Sequence, residues 1–142
     1  MFKIEQYPFR HIVEDNFLKK EDFEKIKNRL RNLVDNSKFE NNKSGVIYNQ
    51  ARISFPDKKV IRESSLLSNK ELLDFCSRYV PKMLNHLKIL SPNKINLFDT
   101  FSFQVSRTDK NIIYPIHDDS SEKLLSIVGV VIYDSGLLSD QN

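Results

Sequence analysis

Residues 97–106 read Leu97-Phe98-Asp99-Thr100-Phe101-Ser102-Phe103-Gln104-Val105-Ser106. Side chains of a β-strand alternate between the two faces of a sheet, so this stretch divides into two sets of every second residue. The set that holds Phe101, Phe103 and Val105 is the more apolar, and the other set carries hydroxyl and amide groups. The pattern therefore predicts a strand whose apolar face is turned toward the core.

Two amphipathic helices are predicted upstream of this strand. Apolar residues recur at helical spacing from Lys19 through Asn36, with acidic residues early, where the helix dipole favours them. A second helix begins at Ser68, because Ser68 and Glu71 have the spacing of a capping box. Its apolar pattern continues to Leu87. Pro81 removes one amide from this helix and is expected to kink or split it.

Further strands are predicted on both sides of the helices. They cover residues 10–13, Val46 to Ser54, Ile112 to Ile116 and Lys123 to Tyr133. The last of these is rich in β-branched residues and is expected to be a buried central strand. Because the mixed part comes first and the β-rich part follows, the chain is predicted to be α+β.

Length and composition bound the class of protein. A chain of 142 residues is enough for one core, so residues 1–142 are expected to form a single domain. Its 10 Phe and 5 Tyr exclude a disordered tail. No apolar run approaches the roughly 20 residues of a membrane span, and the first residues lack the apolar stretch of a signal peptide. We therefore expect a soluble, cytoplasmic protein with no membrane partner.

The charge is unevenly distributed. The formal net charge is +3, but residues 109–142 hold only 2 basic and 6 acidic groups, so the excess of positive charge lies before them. Acidic residues are interspersed among the lysines and arginines of residues 19–31, which favours a solvated helix face over a nucleic-acid interface. We expect no nucleic-acid partner. A small basic nucleic-acid-binding domain that uses this helix remains an alternative.

The metal-ligating candidates are His117 and Asp119. In an extended chain these two side chains project to the same side and can bind one metal ion, whereas Asp118 points elsewhere. One imidazole and one carboxylate are two thirds of the facial triad that binds Fe(II) in non-haem oxygenases. The single cysteine, Cys76, excludes an internal disulfide and a cysteine-based zinc site. For Cys76, and for the other histidines, His11 and His86, we favour a structural interpretation.

Residues 101–132 resemble the prolyl-hydroxylase-like 2-oxoglutarate- and Fe(II)-dependent dioxygenases. The resemblance rests on Gln104-Val105-Ser106-Arg107, on Tyr114 three residues before His117, and on the His-x-Asp pair with the hydrophobic stretch after it. Residues 8–18, followed by a helix, are similar to the entry strand of bacterial and phage members. Thr108 stands where related hydroxylases commonly have Tyr.

The resemblance implies a fold, a cofactor and a role for three residues. The fold would be N-terminal helices packed on a partial double-stranded β-helix, a jelly roll of the cupin type. His117 and Asp119 would bind Fe(II), Tyr114 would lie near the co-substrate 2-oxoglutarate, and no catalytic residue beyond the metal ligands is implied. The substrate would be a small molecule or a protein side chain.

The chain departs from the family downstream of the motif. No histidine follows His117 and no arginine follows Arg107, so the family's third ligand and its 2-oxoglutarate-binding cation have no match. We therefore expect the N-terminal part of a dioxygenase domain, inactive alone, and whether the chain is an enzyme stays open. The alternative is a non-catalytic jelly-roll binding module. A homodimer would be one way to cover the strand edges of a half jelly roll.

Overall fold

The computed structural model describes residues 1–36, 40–42, 45–107 and 123–128, which form an α+β arrangement with two antiparallel sheets. The helices are α1 (Lys20–Asn36) and α2 (Asn69–Leu90), and a short 3-10 helix, Pro92–Leu97, follows α2. The strands are β1 (Phe2–Glu5), β2 (His11–Glu14), β3 (Glu40–Asn42), β4 (Gly45–Ser54), β5 (Lys59–Arg62) and β6 (Thr100–Arg107).

The larger sheet is arranged around β4. Strand β6 pairs antiparallel along one edge of β4, with Ala51 opposite Phe103 and Ile53 opposite Phe101. Strands β3 and β5 pair with β4 at residues that also pair with β6, so both lie along its other edge. The predicted strand from Val46 to Ser54 is confirmed, and it takes the central place that the sequence pattern assigned to residues 123–133.

One face of the larger sheet is covered by α2. Ala51 and Ile53 are completely buried, and the ring centroid of Phe75 on α2 lies 5.5 Å from that of Phe103. On the opposite face, Ser102 and Gln104 are exposed. The strand predicted over residues 97–106 is thus confirmed from Thr100 onward, with its apolar face turned inward.

Helix α1 joins the same core through Ile26 and is linked to α2 by ion pairs. Both helices lie where the sequence predicts them, and Ser68 and Glu71 form the predicted capping box at the start of α2. Burial of the amphipathic faces against each other and against the sheet produces one core. The core consists of Ile26, Ala51, Ile53, Leu66, Leu67, Leu72, Phe75, Cys76, Tyr79 and Val80.

Pro81 does not split the second helix. Helix α2 runs without interruption from Asn69 to Leu90. Pro81 itself is exposed, while Val80 and Leu87 on either side of it are buried. Burial of Val80 and Leu87 stabilises the helix on both sides of Pro81, so the helix tolerates the one missing amide hydrogen bond.

Some local predictions were wrong or incomplete. Leu97, where the predicted strand begins, is instead the last residue of the 3-10 helix and is exposed. Strands β1, β3 and β5 were not predicted, although β2 matches the strand expected at residues 10–13. The missed strands are at most four residues long and carry charged side chains, so their pattern is weak, and pairing with a neighbour decides them.

The buried strand predicted from Lys123 to Tyr133 is not formed in its described part. Residues 123–128 are described, and they form no strand. Val128 is 85% exposed and Ile127 is also exposed. Apolar β-branched residues satisfy the sequence pattern of a buried strand, but a strand also needs a neighbouring strand, and none of the described strands pairs with this segment. Residues 129–133, and the strand predicted from Ile112 to Ile116, lie outside the described residues.

Candidate functional site

The three residues predicted to form the metal and co-substrate site lie outside the described residues. They are Tyr114, His117 and Asp119. The structure does describe the strand that precedes them, because Gln104-Val105-Ser106-Arg107 is the end of β6. The positions of the three side chains stay a prediction from sequence.

Charged side chains join α1 to α2 at two places, and Asp22 is the centre of the first. Arg78 on α2 donates two hydrogen bonds of 3.0 Å to the carboxylate of Asp22, and the hydroxyl of Tyr79 donates a third at 2.5 Å. Burial acts to raise the pKa of Asp22, but these donors outweigh it and the pKa is lowered. The amide of Lys19 donates to the Tyr79 hydroxyl at 2.8 Å, so the phenol is also satisfied as an acceptor.

Glu71 is the centre of the second connection. Its carboxylate accepts two hydrogen bonds from the guanidinium of Arg29, at 2.5 and 2.6 Å, and lies 3.4 Å from Nζ of Lys25. The same carboxylate accepts from the backbone amide of Ser68 at 3.0 Å. The Arg29 bonds, followed by the Ser68 amide, hold the pKa of Glu71 well below its usual range. This carboxylate therefore caps α2 and binds α1 at once.

A third cluster connects the N-terminal hairpin β1–β2 to α2. Nε2 of His86 donates to Glu14 at 2.7 Å, and Nζ of Lys82 lies 3.2 Å from the other carboxylate oxygen. Burial acts to raise the pKa of Glu14, but the bonds from His86 and Lys82 prevail and the pKa is lowered. Lys82 also donates to the carbonyl of Phe17 at 3.0 Å. The ring of Phe2 packs edge-on against His86.

These three clusters hold elements together and leave little for a ligand. Each carboxylate is already engaged by a cation, and the ammonium of Lys82 occupies the side of Glu14 that a metal ion would need. Among the described residues no group of three His, Cys, Asp or Glu side chains could hold a metal ion. His11 makes a local contact, donating from Nδ1 to the carbonyl of Phe9 at 2.7 Å. The contacts of His11 and His86 agree with the structural interpretation.

Cys76 is a core residue. Its side chain is 3% exposed, and burial raises the pKa of the thiol to about 11. A thiol of this kind is almost fully protonated at neutral pH and is a poor nucleophile. The structural interpretation of Cys76 is therefore the one that its environment supports.

We expect Cys76 to resist labelling by a disulfide reagent such as DTNB in the native protein. The thiol should react only when the core opens, so its rate should be about a thousandfold below that of a free cysteine. The control is the same protein in 6 M guanidinium chloride, where labelling should be complete at once. Labelling of the native protein within seconds would contradict this assignment.

Two arginines on the face of the sheet away from α2 escaped the sequence prediction. Arg52 on β4 and Arg62 on β5 are directly opposite each other in the antiparallel register, and both are exposed. Arg52 could have been placed on the polar face of its strand by alternation. Arg62 could not, because β5 itself was not predicted.

No helix within residues 1–36 and 45–107 combines the length and the apolar character needed to cross a bilayer. In the described residues, α2 covers one face of the larger sheet, and the opposite face is polar and exposed. Comparison of the chain with protein-family models, with curated proteins and with solved structures finds no match.

Proposed function

We propose that the chain is the N-terminal part of an Fe(II)- and 2-oxoglutarate-dependent oxygenase domain, in which His117 and Asp119 bind the metal. The observation that carries the proposal is the His117-x-Asp119 pair, placed after the Gln-Val-x-Arg stretch of β6 and before a hydrophobic stretch. In this proposal the sheet around β4 is one of the two sheets of a jelly roll.

The described fold supports the proposal in two ways. A jelly-roll sheet faces the other sheet on one side, and within the described part of the chain only one face of the sheet around β4 is covered, by α2. The second support is the charge environment of the other histidine–carboxylate pair. His86 and Glu14 have Lys82 beside them, which disfavours a cation there and leaves His117 and Asp119 as the better donors.

The donor types fit Fe(II), although their number is incomplete. Imidazole and carboxylate are the ligands of the facial triad, and two of its three positions are accounted for. When bound with 2-oxoglutarate and oxygen, the metal supplies oxidative decarboxylation of the co-substrate coupled to hydroxylation of a C–H bond. His117 and Asp119 would hold the ion, and Tyr114 would lie near the co-substrate. The substrate would be a small molecule or a protein side chain, with no role for nucleic acid.

A second candidate is a non-catalytic jelly-roll module that binds a ligand without metal. The observation that favours it is the absence of a histidine after His117 and of an arginine after Arg107 in this sequence. Because this module has no metal site, it predicts no metal uptake. Metal binding therefore separates the two functions.

We expect the protein to bind Mn(II), used in place of Fe(II), and to lose at least about tenfold in affinity on His117→Ala or Asp119→Ala. Loss of free Mn(II) signal in electron paramagnetic resonance measures the binding. Asp118→Ala is the matched control, because the alternation of an extended chain points Asp118 away from the metal. Equal uptake by all four proteins, or no uptake by the unsubstituted chain, would remove the oxygenase proposal.

A further inference from the structure

The polar face of the larger sheet carries a row of three residues that the strand register brings together. Arg52 on β4 is opposite Arg62 on β5 and, on its other side, opposite Ser102 on β6. Directly opposed residues in antiparallel strands share a face and have Cα atoms about 5 Å apart. We call these three residues, together with Gln104 two positions further along β6, the arginine row.

A β-bulge produces this juxtaposition. Ile53 is opposite Val60, but Arg52 is opposite Arg62, so Ile61 is an extra residue on β5. Without the bulge Arg52 would be opposite Ile61, and Arg62 would point to the other face. The bulge therefore places Arg52 and Arg62 side by side on the exposed face.

No carboxylate among the described residues forms an ion pair with either arginine of the row. Arg29 and Arg78, by contrast, each donate two hydrogen bonds to a carboxylate. Like charges directly opposite each other on a sheet are destabilising, so the pair has an electrostatic cost that no ion pair with a described carboxylate offsets. A bound anion would remove that cost.

Three acidic residues next to these strands in the sequence accept hydrogen bonds from neutral side chains, which satisfy their oxygens but leave their charge in place. Asp57 accepts a hydrogen bond from Ser54 at 2.6 Å, and Asp99 accepts one from Thr100 at 2.9 Å. Glu63, next to Arg62 in the chain, accepts one from Asn69 at 3.4 Å. Lys59, opposite Ser54, adds a further positive charge to the same face.

The chemistry of the row favours a small carboxylate over a polymer. A guanidinium group binds a planar carboxylate through two parallel hydrogen bonds, and Ser102 and Gln104 offer further donors along β6. Single-stranded nucleic acid binds faces that combine cations with aromatic stacking platforms. Between Gln50 and Ser54, in β5 and between Thr100 and Gln104, only every second residue or so lies on this face. The paired residues there are Gln50, Arg52, Ser54, Lys59, Arg62, Thr100, Ser102 and Gln104, and none of them is aromatic.

We propose that the arginine row is a binding site for a small dicarboxylate, with one carboxylate held between Arg52 and Arg62 and the other extending along β6 toward Gln104. The proposal that the row binds a dicarboxylate rests only on the arrangement of these four residues. Its assignment as 2-oxoglutarate rests on the proposed oxygenase function, and there the row would supply the cation that has no match after Arg107.

The test is a titration of the metal-free, ¹⁵N-labelled chain with succinate and with 2-oxoglutarate, followed by NMR. We expect both ligands to shift the side-chain Nε–H signals of Arg52 and Arg62 and the amide signals of Ser102 and Gln104. Arg52→Gln and Arg62→Gln should each weaken binding about tenfold, because each removes charge-assisted hydrogen bonds. Arg10→Gln is the matched control, since Arg10 is an exposed arginine on the loop between β1 and β2, and it should bind as the unsubstituted chain does.

Two outcomes would overturn the site. One is equal binding of succinate by all of these folded variants, and the other is displacement of succinate by a single-stranded oligonucleotide that binds more tightly. The metal titration tests the oxygenase proposal independently of the arginine row. Arg52→Gln should still bind Mn(II), and His117→Ala should still bind succinate. Succinate binding without Mn(II) uptake would support the arginine row and reject the oxygenase.

Discussion

Replacing Tyr79 by alanine is expected to lower the free energy of unfolding by about 4 kcal/mol, because it removes a large aromatic side chain from the centre of the core. Tyr79 is 2% exposed, and its ring centroid lies 4.7 Å from that of Phe75 and 5.6 Å from that of Phe17. The substitution also takes away the hydroxyl that bonds Asp22 and the Lys19 amide. Urea denaturation followed by circular dichroism measures the loss.

Two controls separate the ring from the hydroxyl and the core from the surface. Tyr79→Phe keeps the ring and should cost only about 1 to 2 kcal/mol, the contribution of the hydrogen bonds. Tyr7→Ala, at a position 87% exposed, should change stability by less than about 0.5 kcal/mol. If Tyr79→Ala were as stable as Tyr7→Ala, the core around α2 would be wrongly assigned.

Replacing Glu71 by alanine is expected to cost about 3 kcal/mol, since one carboxylate serves two elements. Loss of a helix cap costs about 1 kcal/mol, and loss of charge-assisted hydrogen bonds costs about 1.5 to 3 kcal/mol. Glu71 supplies both, through the Ser68 amide and the guanidinium of Arg29. The matched control is Glu21→Ala, another glutamate near the start of a helix, on α1, for which we expect a change below about 0.5 kcal/mol.

Glu71 should also make stability depend on pH at the acid end. The Arg29 bonds lower the pKa of Glu71 in the folded state, whereas the unfolded value is about 4.3. A lowered pKa stabilises the fold fully above the unfolded value, and this stability is lost as pH falls toward the folded value. Urea midpoints between pH 7 and pH 3 should therefore decrease more steeply for the unsubstituted protein than for Glu71→Gln. The Glu71→Gln variant should keep a smaller slope, because the pKa values of Asp22 and Glu14 are also lowered in the folded state. Identical slopes would show that Glu71 does not contribute.

The candidate site was predictable only in part. His117, Asp119 and Tyr114 come from local spacing and resemblance, and their place in three dimensions stays a prediction. The arginine row could not be predicted, because residues 52, 62 and 102 become neighbours only through strand pairing and the bulge at Ile61. Nothing in the local pattern of Lys59-Val60-Ile61-Arg62 distinguishes a bulged edge strand from a charged turn.

Local signals determined the parts of this protein that local energies control. The capping box at Ser68, the bounds of α1 and the inward face of Phe101 and Phe103 follow from short-range hydrogen bonds and from the period of apolar residues. Packing overrode local propensity at Pro81, which stays within α2. At 123–128, an apolar pattern is not enough to make a strand, because none of the described strands pairs with it.

Only the tertiary structure decided which charges meet. Asp22 and Arg78 are 56 positions apart, and Glu14 and His86 are 72 apart, yet both pairs are in direct contact. Such partners are selected by how α1 and the N-terminal hairpin dock on α2. Docking is governed by burial of apolar surface, and this driving force is non-directional. The sequence by itself therefore determined the two helices and the strand at residues 46–54, and the tertiary structure decided the central place of that strand, the ion pairs and the arginine row.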